Sequence, residues 1–210
     1  MSIISENIDR IKNDILECEK KSGRQAGSVK LMAVSKFHSV SEINQAINSN
    51  QFLFGENRVQ EAVEKFLLIN NPNIELHIIG SLQTNKVKNA VKISSCIESV
   101  DRIKLLEEIE KQSSKIDKSI KILFEYHTAE DSKSGFVSKD ELYSVLEMCS
   151  NGLFPHVIPC GFMTMAPFTN DESLIRKSFI TLRELSEKCK KDFPNLPLNE
   201  LSMGMSGDYK

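Results

Sequence analysis

The 210-residue sequence has no tryptophan, few glycines and prolines, and no apolar run approaching the ~20 residues needed to span a bilayer. Its N-terminus is polar and lacks the basic flank and apolar core of a secretion signal. The 27 basic and 29 acidic residues are interspersed and leave a net charge of −2, so no basic field is present to attract nucleic acid or an anionic membrane. We therefore expect neither a nucleic-acid partner nor a membrane partner.

The sequence also lacks the closely spaced cysteines of a zinc site or a disulfide framework. Its five cysteines are odd in number and widely scattered: Cys18, Cys96, Cys149, Cys160 and Cys189. This distribution is typical of reduced thiols and predicts a cytoplasmic protein.

Helical and strand patterns alternate along the whole sequence. Apolar strands are predicted near residues 31–35, 52–54, 75–80, 95–99, 121–127, 157–162 and 200–204, with a helix before the first strand and between each pair. With 40% hydrophobic residues the chain can bury one sizeable core, so residues 1–210 are predicted to form a single domain. The alternation favours a parallel sheet, either a (β/α)-barrel or a doubly wound open sheet.

A lysine stands at the end of the first predicted strand, in the run Leu31-Met32-Ala33-Val34-Ser35-Lys36. Functional groups of parallel α/β folds lie at the carboxyl ends of the strands. A lysine held between low-dielectric walls loses proton affinity and becomes a nucleophile toward aldehydes. Pyridoxal phosphate, which carries an aldehyde, is therefore the natural candidate ligand of Lys36.

Six segments agree in order with one protein family over nearly the whole chain. They are Ala33-Val34-Ser35-Lys36, Phe54-Gly55-Glu56-Asn57-Arg58-Val59-Gln60-Glu61, His77-Ile78-Ile79-Gly80-Ser81-Leu82-Gln83-Thr84-Asn85-Lys86, Ser132-Lys133-Ser134-Gly135, Gly161-Phe162-Met163-Thr164-Met165-Ala166-Pro167, and Leu201-Ser202-Met203-Gly204-Met205-Ser206-Gly207-Asp208. The sequence thus resembles the pyridoxal phosphate homeostasis proteins, which are related to the N-terminal barrel domain of alanine racemase. The resemblance implies an α/β fold of the (β/α)8 TIM-barrel type.

The resemblance also implies roles for individual residues. Lys36 is expected to hold pyridoxal 5'-phosphate as an aldimine (a Schiff base). Ser206 is expected to bind its phosphate, because the flanking Gly204 and Gly207 let backbone amides approach an anion; an ordinary glycine-rich turn is the alternative. Asn57 is expected beside the cofactor, although a helix N-cap role is equally compatible with its position.

Four further residues are weighed as minor candidates. His38 is interpreted as a loop histidine on the rim, with a proton carrier as the alternative, and His77 as a core histidine whose hydrogen bonds are satisfied. Met163 and Met165 are expected to line the site beneath the cofactor ring. The polar segment Ser132-Lys133-Ser134-Gly135 is either a gate at the barrel mouth or a solvated loop.

By resemblance, the expected function is that of a monomeric, non-catalytic carrier that contributes to vitamin B6 homeostasis and passes the cofactor to pyridoxal phosphate-dependent apo-enzymes. The enzyme alternative is an amino-acid racemase, which needs a second acid or base on the opposite face of the ring. In alanine racemase that group is a tyrosine, and Tyr126, Tyr143 and Tyr209 show no matching motif.

The end of the chain qualifies this expectation. Family members normally continue through one more helix and an eighth strand, whose Arg-Ile-Gly-like turn supplies part of the phosphate site and the partner of the pyridine nitrogen. Because Lys210 follows the seventh predicted strand directly, we expect the eighth strand to be missing and the domain to be C-terminally incomplete. A truncated relative with impaired cofactor binding is therefore the third hypothesis.

Overall fold

A computed structural model describes residues 2–128 and 135–210. Within these residues the strands are β1 Ala33–Val34, β2 Leu53–Glu56, β3 Glu75–Ile78, β4 Cys96–Val100, β5 Ile120–Glu125, β6 Val157–Met163 and β7 Glu200–Ser202. The helices are α1 Ile3–Lys21, α2 Val40–Asn48, α3 Val59–Phe66, α4 Val87–Ile93, α5 Ile103–Ser114, α6 Lys139–Ser150 and α7 Glu172–Asp192, with a 3₁₀ turn at Thr84–Lys86 before α4. None of the described helices has the length and hydrophobicity to cross a membrane.

The strands form one sheet in the order β1 to β7, and every neighbouring pair is parallel. A doubly wound sheet must reverse its strand order at a switch point. Strictly sequential order with right-handed crossovers instead places all helices on one face, as in a barrel. The predicted parallel barrel is therefore confirmed, with seven of its eight strands among the described residues.

The two ends of this sheet meet at α1. Asp14 on α1 accepts a hydrogen bond of 2.8 Å from the Tyr209 hydroxyl and pairs at 3.1 Å with the Lys210 ammonium group. Both contacts lower the pKa of Asp14, and the hydrogen bond from Tyr209 has the larger effect. Because α1 leads into β1 and Tyr209 follows β7, the sheet must curl to bring both together.

The sheet has two chemically different faces. The helix-facing side chains, such as Phe54, Ile97 and Phe162, join the helices in the main core. The inward side chains of the later strands form a smaller cluster of their own: Cys96, Leu123, Cys160 and Met163. Alternation along each strand thus separates a helix-facing core from a barrel interior.

The first strand is shorter than the sequence predicts. Only Ala33–Val34 pair with β2, whereas residues 31–35 were expected to be extended strand. The side-chain amide of Gln51 donates to the carbonyls of Leu31 (2.8 Å) and Leu53 (2.7 Å), so this side chain takes the place of a ladder bond at the start of β1. Lys36 consequently lies two residues beyond the strand, in the loop that follows it.

Close contact between β6 and β7 depends on Gly161. A Cβ atom at this position would lie 1.8 Å from the carbonyl oxygen of Glu200. No neighbouring backbone atom can yield that much space, so only glycine allows β7 to pair here. The close approach also fixes the start of the segment that carries Gly204 and Ser206.

Candidate functional site

The candidate residues all follow the carboxyl ends of strands. Lys36 follows β1, Asn57 follows β2 directly, and Gly204 and Ser206 follow β7. All of them are exposed. Because the strands are parallel and the sheet curls, these residues share one end of the barrel, which we call the mouth.

The turn that carries Lys36 is fixed on both sides. The Ser35 amide donates to the Gly55 carbonyl at 3.0 Å, and the His38 amide donates to the Ser35 carbonyl at 3.0 Å. Phe37 has a φ of 67°, a left-handed conformation that is uncommon for a bulky residue. Lys36 is exposed in this turn, so the low-dielectric surroundings expected for it are not found among the described residues.

A buried charge network lies beneath the turn. Glu56 is fully buried, and its Oε1 accepts hydrogen bonds from the Ser35 hydroxyl (2.8 Å) and the Lys65 ammonium (3.0 Å). Lys65 also donates to the Ser35 carbonyl at 2.7 Å. Glu61 accepts from Lys65 and, at 2.6 Å, from the Phe37 amide, and these bonds lower its pKa. The residues on either side of Lys36 are therefore anchored to α3.

The sequence analysis missed this network, although part of it can be read from the chain. Glu61 and Lys65 have the i, i+4 spacing of a helical ion pair, and Glu56 interrupts an otherwise apolar strand. An acidic residue in such a strand indicates a buried partner.

Asn57 is positioned by a close backbone contact with β3's carboxyl end. A Cβ on Gly80 would lie 2.4 Å from the Asn57 carbonyl oxygen, so glycine is required at this point. The Gly80 carbonyl accepts a bond of 2.7 Å from the Ser99 hydroxyl. The N-cap of α3 is Arg58, so the alternative that Asn57 caps the helix is wrong. Its carboxamide remains exposed at the mouth.

The segment after β7 forms a compact turn. Gly204 has a φ of 89°, which glycine adopts without strain. The Asp208 amide donates to the Met205 carbonyl at 3.1 Å, and the Asp208 carboxylate accepts from the Met205 amide. In the described part of the chain, the amides of Ser206 and Gly207 donate to no protein group. Two amides and one hydroxyl are thus available to an anion at this turn.

The minor candidates lie in different surroundings in the structure. His77 is buried, and its Nδ1 lies 2.5 Å from Glu98 Oε1, so the prediction of a satisfied core histidine is confirmed. His38 is exposed and pairs with Glu42 at 3.1 Å. Met163 belongs to the interior cluster and Met165 is exposed on the loop after β6, so their place beneath the cofactor ring stays a prediction. Of the segment 132–135, residues 132–134 lie outside the described residues.

This arrangement defines a class of protein. A sequentially ordered parallel barrel with a lysine at the mouth after β1 is a barrel of the alanine racemase N-terminal type, and the family model described as "Alanine racemase, N-terminal domain" matches residues 7–209. The pyridoxal phosphate homeostasis protein of Pasteurella multocida is 33% identical over 208 residues, which cover 98% of this chain and 88% of the relative. The chain therefore belongs to the pyridoxal phosphate homeostasis protein family.

Solved structures agree with this assignment. PipY of Synechococcus elongatus, with PLP bound, is 31% identical with a TM-score of 0.84, and the match covers 98% of this chain and 91% of PipY. Alanine racemase from Streptomyces coelicolor is only 12% identical, with a TM-score of 0.71 over 84% of this chain and 48% of the racemase. That second likeness establishes the fold alone.

Proposed function

We propose that this protein binds pyridoxal phosphate covalently on Lys36 and acts as a non-catalytic carrier in vitamin B6 homeostasis. The observation that carries the proposal is the placement of an exposed amine and an anion-accepting turn at the same mouth of the barrel. The relatives named above and the PLP-bound PipY structure support the choice of ligand.

The available groups fit the chemistry of this cofactor. When bound, pyridoxal phosphate supplies an aldehyde that condenses with a primary amine, and a phosphate that needs several donors. Lys36 offers the amine from a fixed turn, and Ser206 and Gly207 offer one hydroxyl and two amides. Asn57 offers a carboxamide on the neighbouring strand's end, at a position set by Gly80.

The tyrosines argue against the racemase alternative. Tyr126 is buried in the helix-facing core, and burial raises its pKa. The Tyr143 hydroxyl donates to Asp192 at 2.8 Å, and the Tyr209 hydroxyl donates to Asp14 at 2.8 Å. Each tyrosine therefore has a structural role of its own, which supports a carrier rather than a racemase.

The proposal extends to the cell. A carrier must release its cofactor to a recipient, so we propose pyridoxal phosphate-dependent apo-enzymes as partners of a monomeric protein. All five cysteines are free thiols, which supports a reducing, cytoplasmic location.

Addition of pyridoxal phosphate to the purified protein tests the proposal directly. We expect a new visible absorbance band that borohydride abolishes, because reduction removes the conjugated carbon–nitrogen double bond. The loaded protein is then incubated with L-alanine. Formation of D-alanine at about 1 per second or faster would favour the racemase instead, and the absence of any new band would favour a relative that does not bind the cofactor.

Replacement of Ser206 by alanine should weaken pyridoxal phosphate binding by roughly 10- to 150-fold, because a hydrogen bond to a charged group contributes about 1.5–3 kcal/mol. Equilibrium titration followed by absorbance measures the change. Pyridoxal, which lacks the phosphate, is the matched control ligand, and Ser206→Ala should leave its binding unchanged. An equal loss for both ligands would contradict a phosphate contact at this residue.

A further inference from the structure

Three side chains with metal-binding groups meet inside the barrel. His77 on β3 pairs directly with Cys96 on β4, and Glu98 lies two residues further along β4 on the same face. One ligand atom from each lies within 4.8 Å of the others. Their exposed fractions are 8%, 1% and 2%. We refer to these three residues as the interior triad.

A buried oxygen of the triad has no hydrogen-bond partner in the described part of the chain. Glu98 Oε1 contacts the His77 ring, but Glu98 Oε2 is buried and makes no hydrogen bond to any described residue. Leaving a buried carboxylate oxygen without a donor is costly, since the group has lost water and gained nothing in return. A bound cation would supply the missing interaction.

The donor set indicates which cation fits. Imidazole nitrogen, thiolate sulfur and carboxylate oxygen are all ligands of zinc, and softer ligands such as thiolate exclude magnesium and calcium. Three protein ligands leave one tetrahedral position for water or another small ligand. The charges also balance, because a thiolate and a carboxylate together neutralise one divalent ion.

We propose that His77, Cys96 and Glu98 form a binding site for one zinc ion in the barrel interior. Zinc binds the lone pair of neutral His77, the carboxylate of Glu98 and the sulfur of Cys96. As the sulfur–zinc bond forms, the Cys96 S–H bond breaks and its proton passes to solvent.

Two further groups lie near Cys96. Cys160 is a second thiol in the same buried interior cluster. The carboxylate of Glu200, at the start of β7, lies near both thiols.

Cobalt titration of metal-free protein tests the site. Cobalt(II) bound by a thiolate absorbs in the near ultraviolet through sulfur-to-metal charge transfer, so we expect this band to saturate at one equivalent and to disappear when zinc is added. Cys96→Ser should abolish the band. Cys160→Ser is the matched control, because Cys160 is a second interior thiol outside the triad, and it should retain the band.

A second variant covers the case in which Cys96→Ser does not fold. Glu98→Gln keeps the shape of the side chain and should weaken cobalt binding by at least about 100-fold, more than the loss usual for residues outside the ligand set. Lys36→Ala should bind cobalt normally, which separates this site from the cofactor site. The proposal is wrong if no band forms at one equivalent, if Cys160→Ser loses it, or if Glu98→Gln binds as the parent does.

Discussion

Replacement of Lys36 by alanine should eliminate covalent labelling by pyridoxal phosphate. In the parent protein, borohydride reduction followed by peptide mass analysis should place the phosphopyridoxyl group on Lys36, because this amine projects from a fixed turn at the mouth. Lys36→Arg should also fail, since a guanidinium remains protonated and cannot attack the aldehyde. Covalent labelling at this position should therefore fall to background in both variants.

Lys30→Ala provides the control for this experiment. Lys30 is an exposed lysine six residues earlier in the chain, before β1 rather than after it. Its removal should leave the label intact. A label found on another lysine and unaffected by Lys36→Ala would reject the assignment.

The placement of Lys36 was predictable because it depends on local patterns. A short apolar run followed by a capping box at Ser39 and Glu42 marks a strand, a loop and a helix start within a few residues. Sequential alternation of such units then implies a parallel sheet whose carboxyl ends share one edge. The cofactor-side roles expected for Asn57, Gly204 and Ser206 came instead from the family resemblance, and the strand pattern adds only that each follows a strand's carboxyl end.

Features set by register or by distant partners were not predictable in this way. The pairing of His77 with Cys96 depends on how β3 and β4 align, and a shift of one residue would move one of them to the helix-facing side. The anchoring of Ser35 by Lys65 joins residues 30 positions apart. The shortened β1 likewise depends on where the Gln51 side chain finds its acceptors.

Burial explains the remaining difference around Lys36. Ala33 and Val34 before it pair with β2, whereas Lys36 is exposed in the turn that the His38-to-Ser35 hydrogen bond closes. The expectation of a desolvated amine assumed that Lys36 is the last residue of the strand, whereas β1 ends at Val34. If Lys36 carries the cofactor as proposed, position is what favours its reaction, because the network beneath the turn holds the residues on either side of it.

Replacement of Lys65 by methionine should lower the free energy of unfolding by about 3–5 kcal/mol, because it leaves the carboxylate of Glu56 buried without its cation. The Glu56 Oε2 atom already lacks a hydrogen bond to any described residue, so after the change only the neutral Ser35 hydroxyl would still donate to this carboxylate. Burial of Lys65 opposes its charge, but its bonds to Glu61 and Glu56 outweigh this and raise its pKa. Denaturant unfolding measures the loss directly.

Two further variants distinguish the buried charge from the general loss of a side chain. Glu61→Gln should cost much less than Lys65→Met, because the Glu61 side chain is 20% exposed and water can solvate what remains. In the double variant Glu56→Gln with Lys65→Met the unpaired charge is gone, so it should be more stable than Lys65→Met alone. Equal stability of these two variants would mean that the Lys65 contribution is packing rather than charge.

If the network orients the turn, Lys65→Met should also slow pyridoxal phosphate labelling of Lys36 under conditions where the variant remains folded.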